Sequence, residues 1–197
     1  MKTSVLSLVV LLLLASPAGS TVVLTCRDLG GGVAELSYDA SQEASLVRAF
    51  ALDVTLSHGI ITSTDNWSFD YWFYPSTTII DPETGEIVAP GTPIVPSDEP
   101  GALGGLGTNG MTIAMASLYH EDDPIHNTPP PVSGALLTFN VSAECDVTVI
   151  ENSLRGGVVL EDGTQADIFT LPCHVVPEPT TVLLLGLSGL ALLRNRK

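Results

Sequence analysis

Residues 48–56, "RAFALDVTL", carry the clearest structural pattern in the chain. Their larger apolar side chains alternate with small or polar ones, which gives the two sets Phe50, Leu52, Val54, Leu56 and Ala51, Asp53, Thr55. A period of two is typical of a strand with one face in a core and the other toward solvent. The same alternation predicts three further strands, in "MTIAMASLY" (111–119), "GALLTFNVS" (134–142) and "CDVTVIE" (145–151).

Short runs of turn-forming residues separate these stretches: "SHG" (57–59), "PETGE" (82–86), "RGG" (155–157) and "EDG" (161–163). The run "STTIIDPETGEI" (76–87) predicts a hairpin, because a Pro/Gly turn follows an apolar pair. Residues 89–110 and 120–132 are rich in proline, glycine or acidic residues, which favours irregular loops. No amphipathic helical pattern occurs between residues 21 and 176, so the sequence predicts an all-β domain, a single β-sandwich.

The N-terminal stretch "MKTSVLSLVVLLLLASPAGS" (1–20) has one charge at Lys2, an apolar run and then small residues. This is the pattern of a secretory signal peptide, too short for a comfortable membrane span. A buried N-terminal helix is the alternative, but proline and glycine follow the run at once. We expect signal peptidase to cut after Ala18 or Ser20.

The C-terminal stretch "VVPEPTTVLLLGLSGLALLRNRK" (175–197) ends in an apolar run, 182–193, and a basic tip. A helix over that run would reach about 18 Å, against roughly 30 Å for the hydrocarbon layer. The basic residues Arg194, Arg196 and Lys197 would stay on the cytoplasmic side as a stop-transfer signal. A core helix or a glycolipid-anchor signal would explain the apolar run, but neither normally ends in such a basic cluster.

Pro177, Glu178 and Pro179 precede that run, and the three parts together resemble the PEP-CTERM sorting signal. Such signals belong to exported proteins of bacteria that make extracellular polysaccharide. The resemblance implies processing by an exosortase, a membrane enzyme that cuts near the Pro-Glu-Pro motif. These three residues would then be a substrate site in residues 177–197. The protein would be anchored in the cell envelope, then displayed at the cell surface or in the extracellular matrix.

The chain is strongly acidic, with a formal net charge of −15. Residues 21–176 contain Arg27, Arg48 and Arg155 but no lysine. Such a surface repels nucleic acid and anionic lipid, so nucleic-acid binding is not expected. The three cysteines, Cys26, Cys145 and Cys173, predict one disulfide and one remaining thiol in an exported domain, and their spacing leaves the pair open.

The strand at 48–56, the later "MTIAMASL" and the strand "GALLTFNV" are similar in order to the elements of cohesin domains. The resemblance implies a jelly-roll type sandwich over residues 21–176 and a role in extracellular assembly, with dockerin-type modules as partners. In that topology the first and last strands are neighbours, which would favour a disulfide between Cys26 and Cys173. No dockerin calcium loop of the type D-x-[DN]-x-[DN]-G is present in this sequence.

"HEDDPIH" (120–126) offers the carboxylates of Glu121, Asp122 and Asp123 between two histidines. Hard oxygen ligands of this kind could bind calcium weakly, and no other cofactor is predicted. The motif is not H-E-x-x-H, and without a helix the two histidines have no reason to share a face. A solvated acidic loop is the alternative.

The stretch "NWSFDYWFYP" (66–75) concentrates aromatic residues. Strand alternation would put one set in the core and leave Trp72 and Tyr74 on the other face, as a platform for sugar rings. The two sets are Trp67, Phe69, Tyr71, Phe73 and Trp72, Tyr74. Core packing of both sets is the alternative.

Signatures of catalysis are missing from the sequence. "GGLGTNGMT" (104–112) has the glycines of a phosphate loop without its lysine, and no G-x-S-x-G elbow occurs. We therefore expect a non-enzymatic protein of the cell envelope or matrix with a structural or adhesive role. A cohesin-like or carbohydrate-binding recognition module is the second hypothesis, and an extracellular hydrolase is the third.

Overall fold

The computed structural model describes residues 21–84, 86–124 and 126–177, and these form an all-β domain. One short 3₁₀ turn, Ser153–Arg155, interrupts the strands. In chain order the strands are β1 Thr21–Gly30, β2 Val33–Asp39, β3 Val47–Leu56, β4 Ile61–Asp65, β5 Ile79–Ile80, β6 Ile87–Ala89, β7 Gly110–Ala116, β8 Ser133–Val141, β9 Cys145–Glu151, β10 Val158–Leu160, β11 Asp167–Leu171 and β12 Cys173–Val175.

Two sheets make up the sandwich. The first has the order β11-β1-β2-β8-β4, in which β11 runs parallel to β1 and the other neighbours are antiparallel. In the second sheet β3 pairs with β7 along one edge and with β9 and β10 on successive halves of the other, while β12 pairs with β9. The predicted β-sandwich is therefore confirmed.

The core lies between the two sheets and follows the alternation seen in the sequence. Phe50, Leu52, Val54 and Leu56 of β3 are buried in it, whereas Asp53 and Thr55 point to the other face. The stretches predicted from alternation are β3, β7, β8 and β9, and the predicted hairpin is β5 with β6. The largest fully buried side chains are Tyr71, Phe50, Phe139, Leu24, Leu36, Leu52, Ile61, Met111, Ile113, Met115, Leu136 and Leu137.

Residues 96–105, which we call the strap, cross the outer face of the second sheet. The Leu103 amide donates to Oγ1 of Thr112 at 2.9 Å, and the Gly101 carbonyl accepts from Nδ2 of Asn152 at 2.8 Å. Both side chains also donate to Oδ1 of Asp53, at 2.5 Å from Thr112 and 3.0 Å from Asn152. This polar network is buried under the strap, so the middle of that face is covered by the chain itself.

The predicted signal peptide (1–20) and the predicted short helix (182–193) lie outside the described residues. Within the described ranges, no helix is long and apolar enough to cross a membrane.

Candidate functional site

The aromatic stretch after β4 is an irregular segment held at both ends, and the prediction of a strand there is wrong. At its start the Ser68 amide donates to the Leu136 carbonyl of β8 at 2.8 Å. Near its end Phe73 and Ala116 of β7 exchange backbone hydrogen bonds of 3.1 and 2.7 Å. Asn66 has a φ of +50°, a conformation that asparagine tolerates better than most residues, and this redirects the chain at the end of β4.

Tyr71 fixes this segment to the core. Its ring is fully buried and meets the rings of Phe50 and Tyr38 edge-to-face, with ring centroids 5.0 and 5.7 Å away, respectively. Its hydroxyl lies 3.0 Å from the Tyr38 hydroxyl and 3.0 Å from the Val47 carbonyl oxygen, and the Tyr38 hydroxyl donates to the Pro131 carbonyl. Burial raises the pKa of Tyr71, so the hydroxyl stays neutral and able to donate.

Four of the other aromatic residues of the segment line an open cleft of about 730 Å³, which we call the aromatic cleft. Phe69 projects into solvent with 94% of its surface exposed, and Trp72 is half-buried. Trp67 and Tyr74 meet edge-to-face at 6.0 Å, and Tyr74 is buried. The residues that line the cleft are Thr64, Asp65, Asn66, Trp67, Ser68, Phe69, Asp70, Trp72, Tyr74 and Ala135.

The two predicted sugar contacts, Trp72 and Tyr74, thus line the same cleft but in different ways. Trp72 is half-buried, whereas Tyr74 is buried and packs against Trp67. The alternation also assigns Phe69 to the core, whereas that ring is almost fully exposed. The reason is the irregular backbone, because side chains alternate between faces only in a regular strand.

The acidic loop reaches this cleft through His126. Its imidazole lies tilted against Trp72, with ring centroids 5.4 Å apart, and its Nδ1 lies 2.9 Å from Oδ2 of Asp123. Glu121 and Asp122 are exposed. Among the residues that the structure describes, no group of three or more His, Cys, Asp or Glu side chains could hold a metal ion.

The charges of the aromatic cleft are negative. Asp65 and Asp70 lie at its border, and no lining residue is basic. Exposed aromatic faces beside carboxylate, amide and hydroxyl groups are suited to ligands that combine apolar faces with hydroxyl groups.

The other notable region is the end of the domain where the predicted sorting motif begins. A disulfide joins Cys26 of β1 to Cys173 of β12, the pair that the cohesin resemblance implied, and it links the two sheets. The Val176 amide donates to Oδ2 of Asp28 at 3.4 Å. A Cβ on Gly32, whose φ is +79°, would lie 3.1 Å from the Val141 carbonyl oxygen and 3.3 Å from Pro177, so both the backbone conformation and the limited space favour glycine there.

Pro177 is the one residue of the predicted sorting motif within the described part of the chain, where it is half-buried. The other predicted residues of the motif and of its basic tip lie outside the described ranges: Glu178, Pro179, Arg194, Arg196 and Lys197. The folded domain therefore continues up to the first proline of the motif.

His174 of β12 lies close in sequence to Pro177, where the described domain ends, and bridges two carboxylates. Its Nδ1 lies 2.8 Å from Oδ1 of Asp146, and its Nε2 lies 3.0 Å from Oε1 of Glu144. Hydrogen bonds to Asp146 and, to a smaller extent, to Glu144 raise the pKa of His174 above its usual value. When the ring is protonated, both contacts are ion pairs that connect β12 to residues 144–146 at the start of β9.

We expect a His174→Gln variant to lose stability in a pH-dependent way. Because the folded-state pKa is raised, the contribution of His174 is fully present below the unfolded value of about 6.5 and disappears as pH rises through the folded value. Thermal unfolding at a series of pH values should show a small deficit for the variant in acid that vanishes at alkaline pH. High salt should reduce the deficit, and a deficit that grows with pH would contradict this account.

Residues 175–197 match the PEP-CTERM protein-sorting motif. This confirms the resemblance seen in the sequence, and a motif of this kind implies export and anchoring at the cell envelope. No curated protein sequence matches the chain significantly.

Several solved structures of cohesins are similar to the domain. CaCohA2 from Clostridium acetobutylicum is 15% identical, with 80% of this chain and 91% of that chain covered and a TM-score of 0.44. The seventh ScaB type I cohesin from Pseudobacteroides cellulosolvens is 8% identical, with coverages of 79% and 91% and a TM-score of 0.43. The sixth cohesin of scaffoldin B from Acetivibrio cellulolyticus, solved with a Cel5 dockerin, is 10% identical, with coverages of 80% and 99% and a TM-score of 0.43.

Proposed function

We propose that this protein is an exported, non-catalytic adhesive domain that binds polysaccharide through the aromatic cleft. In this proposal residues 1–20 direct export, and the segment from Pro177 onward is the substrate of an exosortase. The domain between them then connects the cell envelope or matrix to a polysaccharide.

The observation that carries the proposal is the position of Phe69. An almost fully exposed phenylalanine adds little to the stability of the fold. Here it lines the same cleft as Trp72, on a segment that Tyr71 anchors to the core. Large exposed apolar groups grouped on a rigid support are typical of binding sites. Sugar rings stack on such side chains through their C–H faces. The side chains of Asp65, Asn66 and Asp70 can form hydrogen bonds with the hydroxyl groups of the sugar.

The charge of the domain narrows the ligand class. The chain has a net charge of −15, and the lining of the aromatic cleft includes two carboxylates and no basic group. An anionic polysaccharide such as alginate would be repelled, whereas an uncharged one would not. We therefore propose an uncharged polysaccharide as the ligand.

Retention on immobilised polysaccharides tests this proposal. The wild-type domain should be retained by at least one of cellulose, xylan, mannan and β-glucan, and not by alginate. Phe69→Ala and Trp72→Ala should each weaken retention about tenfold or more, a change of roughly 1.4 kcal/mol. The matched control is Phe169→Ala, because Phe169 is also exposed but lies on β11, at the opposite edge of the first sheet from β4.

Thermal unfolding of the same variants separates binding from folding. Phe69→Ala should melt like the wild type, since its ring is exposed. Equal retention of wild type and Phe69→Ala, preferential retention on alginate, or capture of a dockerin module that is independent of Phe69 would each contradict the proposal. Release of reducing sugars from a retained polysaccharide would show that the domain is a hydrolase.

A further inference from the structure

A second depression of about 480 Å³ adjoins the aromatic cleft and shares Thr64 and Trp67 with it. It lies between β4 and the loop that precedes β7. Its other walls include Ile94, Ser97 and Leu106. Thr64 and Trp67 thus belong to the lining of both depressions.

The second depression resembles the aromatic cleft in chemistry but carries no charged side chain in its lining. Leu106 is about half exposed, at 48%, and Ile94 adds a second apolar surface. Ser63, Thr92 and Ser97 supply hydroxyl groups near them. An uncharged ligand with apolar faces and hydroxyl groups suits these walls, as it suits the aromatic cleft.

The walls of the second depression are also held in place. The Gly107 amide donates to the Ile61 carbonyl, and the Ile61 amide donates to the Thr108 carbonyl, each at 2.8 Å, so the loop is fixed to β4. The Thr108 hydroxyl bonds the Gly105 carbonyl at 2.8 Å, and the Thr92 amide donates to Oγ1 of Thr77 at 2.8 Å. A site that is already ordered loses less entropy when a ligand binds.

We propose that the two depressions form one extended groove that binds an internal stretch of an uncharged polysaccharide chain across Trp67. Each depression alone falls within the range of about 300–1,000 Å³ that is usual for small-ligand sites, so together they accommodate several consecutive sugar units. The inference rests on the proposed function and adds to it the length and direction of the ligand, which follows β4 from the aromatic cleft toward Leu106.

The expected consequence is a dependence of affinity on chain length. Calorimetric titration of the wild-type protein with cello-, xylo- and manno-oligosaccharides should show affinity rising at least about tenfold from the trisaccharide to the hexasaccharide of the series that binds. Leu106→Asp, which places a charge in the second depression, should remove this gain, so that the hexasaccharide binds no more tightly than the trisaccharide. Leu171→Asp is the matched control, because Leu171 is similarly exposed, at 42%, but lies on β11 at the far edge of the sheet.

The outcomes separate this inference from the proposed function. Equal affinity for trisaccharide and hexasaccharide, or a Leu106→Asp variant that keeps the gain, would overturn the extended groove while leaving sugar binding in the aromatic cleft intact. No binding of any oligosaccharide or parent polysaccharide by the wild type would overturn both. Loss of binding by Leu171→Asp to the same degree as Leu106→Asp would also contradict a localised groove.

Discussion

A Cys26→Ser, Cys173→Ser double variant should lose about 4–5 kcal/mol of unfolding free energy relative to the oxidised wild type. The two cysteines are 147 residues apart in sequence, and the bond that joins them removes much of the conformational freedom of the unfolded chain. For a domain of this size the loss corresponds to a melting temperature lower by roughly 10–20 °C. Urea unfolding of both proteins measures the difference.

Cys145→Ser is the control for this prediction. Cys145 is a free, buried cysteine, and burial, with a smaller contribution from Asp146, raises the pKa of its thiol. A protonated thiol is a weak nucleophile, so Cys145 should compete little in disulfide exchange. Its replacement should cost much less than loss of the disulfide, and the reduced wild type should behave like the double variant. A double variant as stable as the oxidised protein would contradict the assigned role.

Tyr71→Ala should destabilise the domain by about 3–5 kcal/mol, the usual cost of deleting a large buried aromatic side chain. The change removes ring contacts to Phe50 and Tyr38 and leaves the Val47 carbonyl without its hydroxyl neighbour. Because Tyr71 anchors the segment that carries Phe69 and Trp72, polysaccharide retention should fall together with stability.

Tyr71→Phe separates the two contributions. The ring is kept and only the hydroxyl is lost, so the cost should be about 1 kcal/mol and retention should persist. Denaturant titration and retention on the immobilised polysaccharide provide both readouts. If the midpoint urea concentration for unfolding of Tyr71→Ala equals that of the wild type, Tyr71 is not the anchor of the cleft.

The strands could be predicted from sequence where one face meets the core and the other does not. In β3 the burial of Phe50, Leu52 and Val54 follows the alternation directly. The aromatic segment has a similar alternation, but Asn66 and the hydrogen bonds of Ser68 and Phe73 give it an irregular path. Periodicity alone does not distinguish these cases, since it contains no information on which backbone hydrogen bonds form.

The candidate site was only partly predictable for a related reason. The sequence predicts Trp72 as a sugar contact, but its neighbour His126 comes from a distant loop. The second depression depends on the loop before β7, whose glycines and prolines predict irregularity without giving its path. The partner of Cys26 likewise depends on the pairing of β1 with β11 and of β12 with β9, which cysteine spacing does not determine.

The Cys26–Cys173 bond also determines how the domain would bear tension. A force applied to the chain at Pro177 is transmitted through residues 174–176 to the disulfide. The disulfide transfers the force to β1, which is an interior strand of the first sheet. There β11 pairs along one side of β1 and β2 along the other, so β1 cannot leave the sheet without the loss of hydrogen bonds on both sides. A domain pulled from this end would therefore lengthen only by the release of residues 174–176 before the paired strands of the first sheet resist.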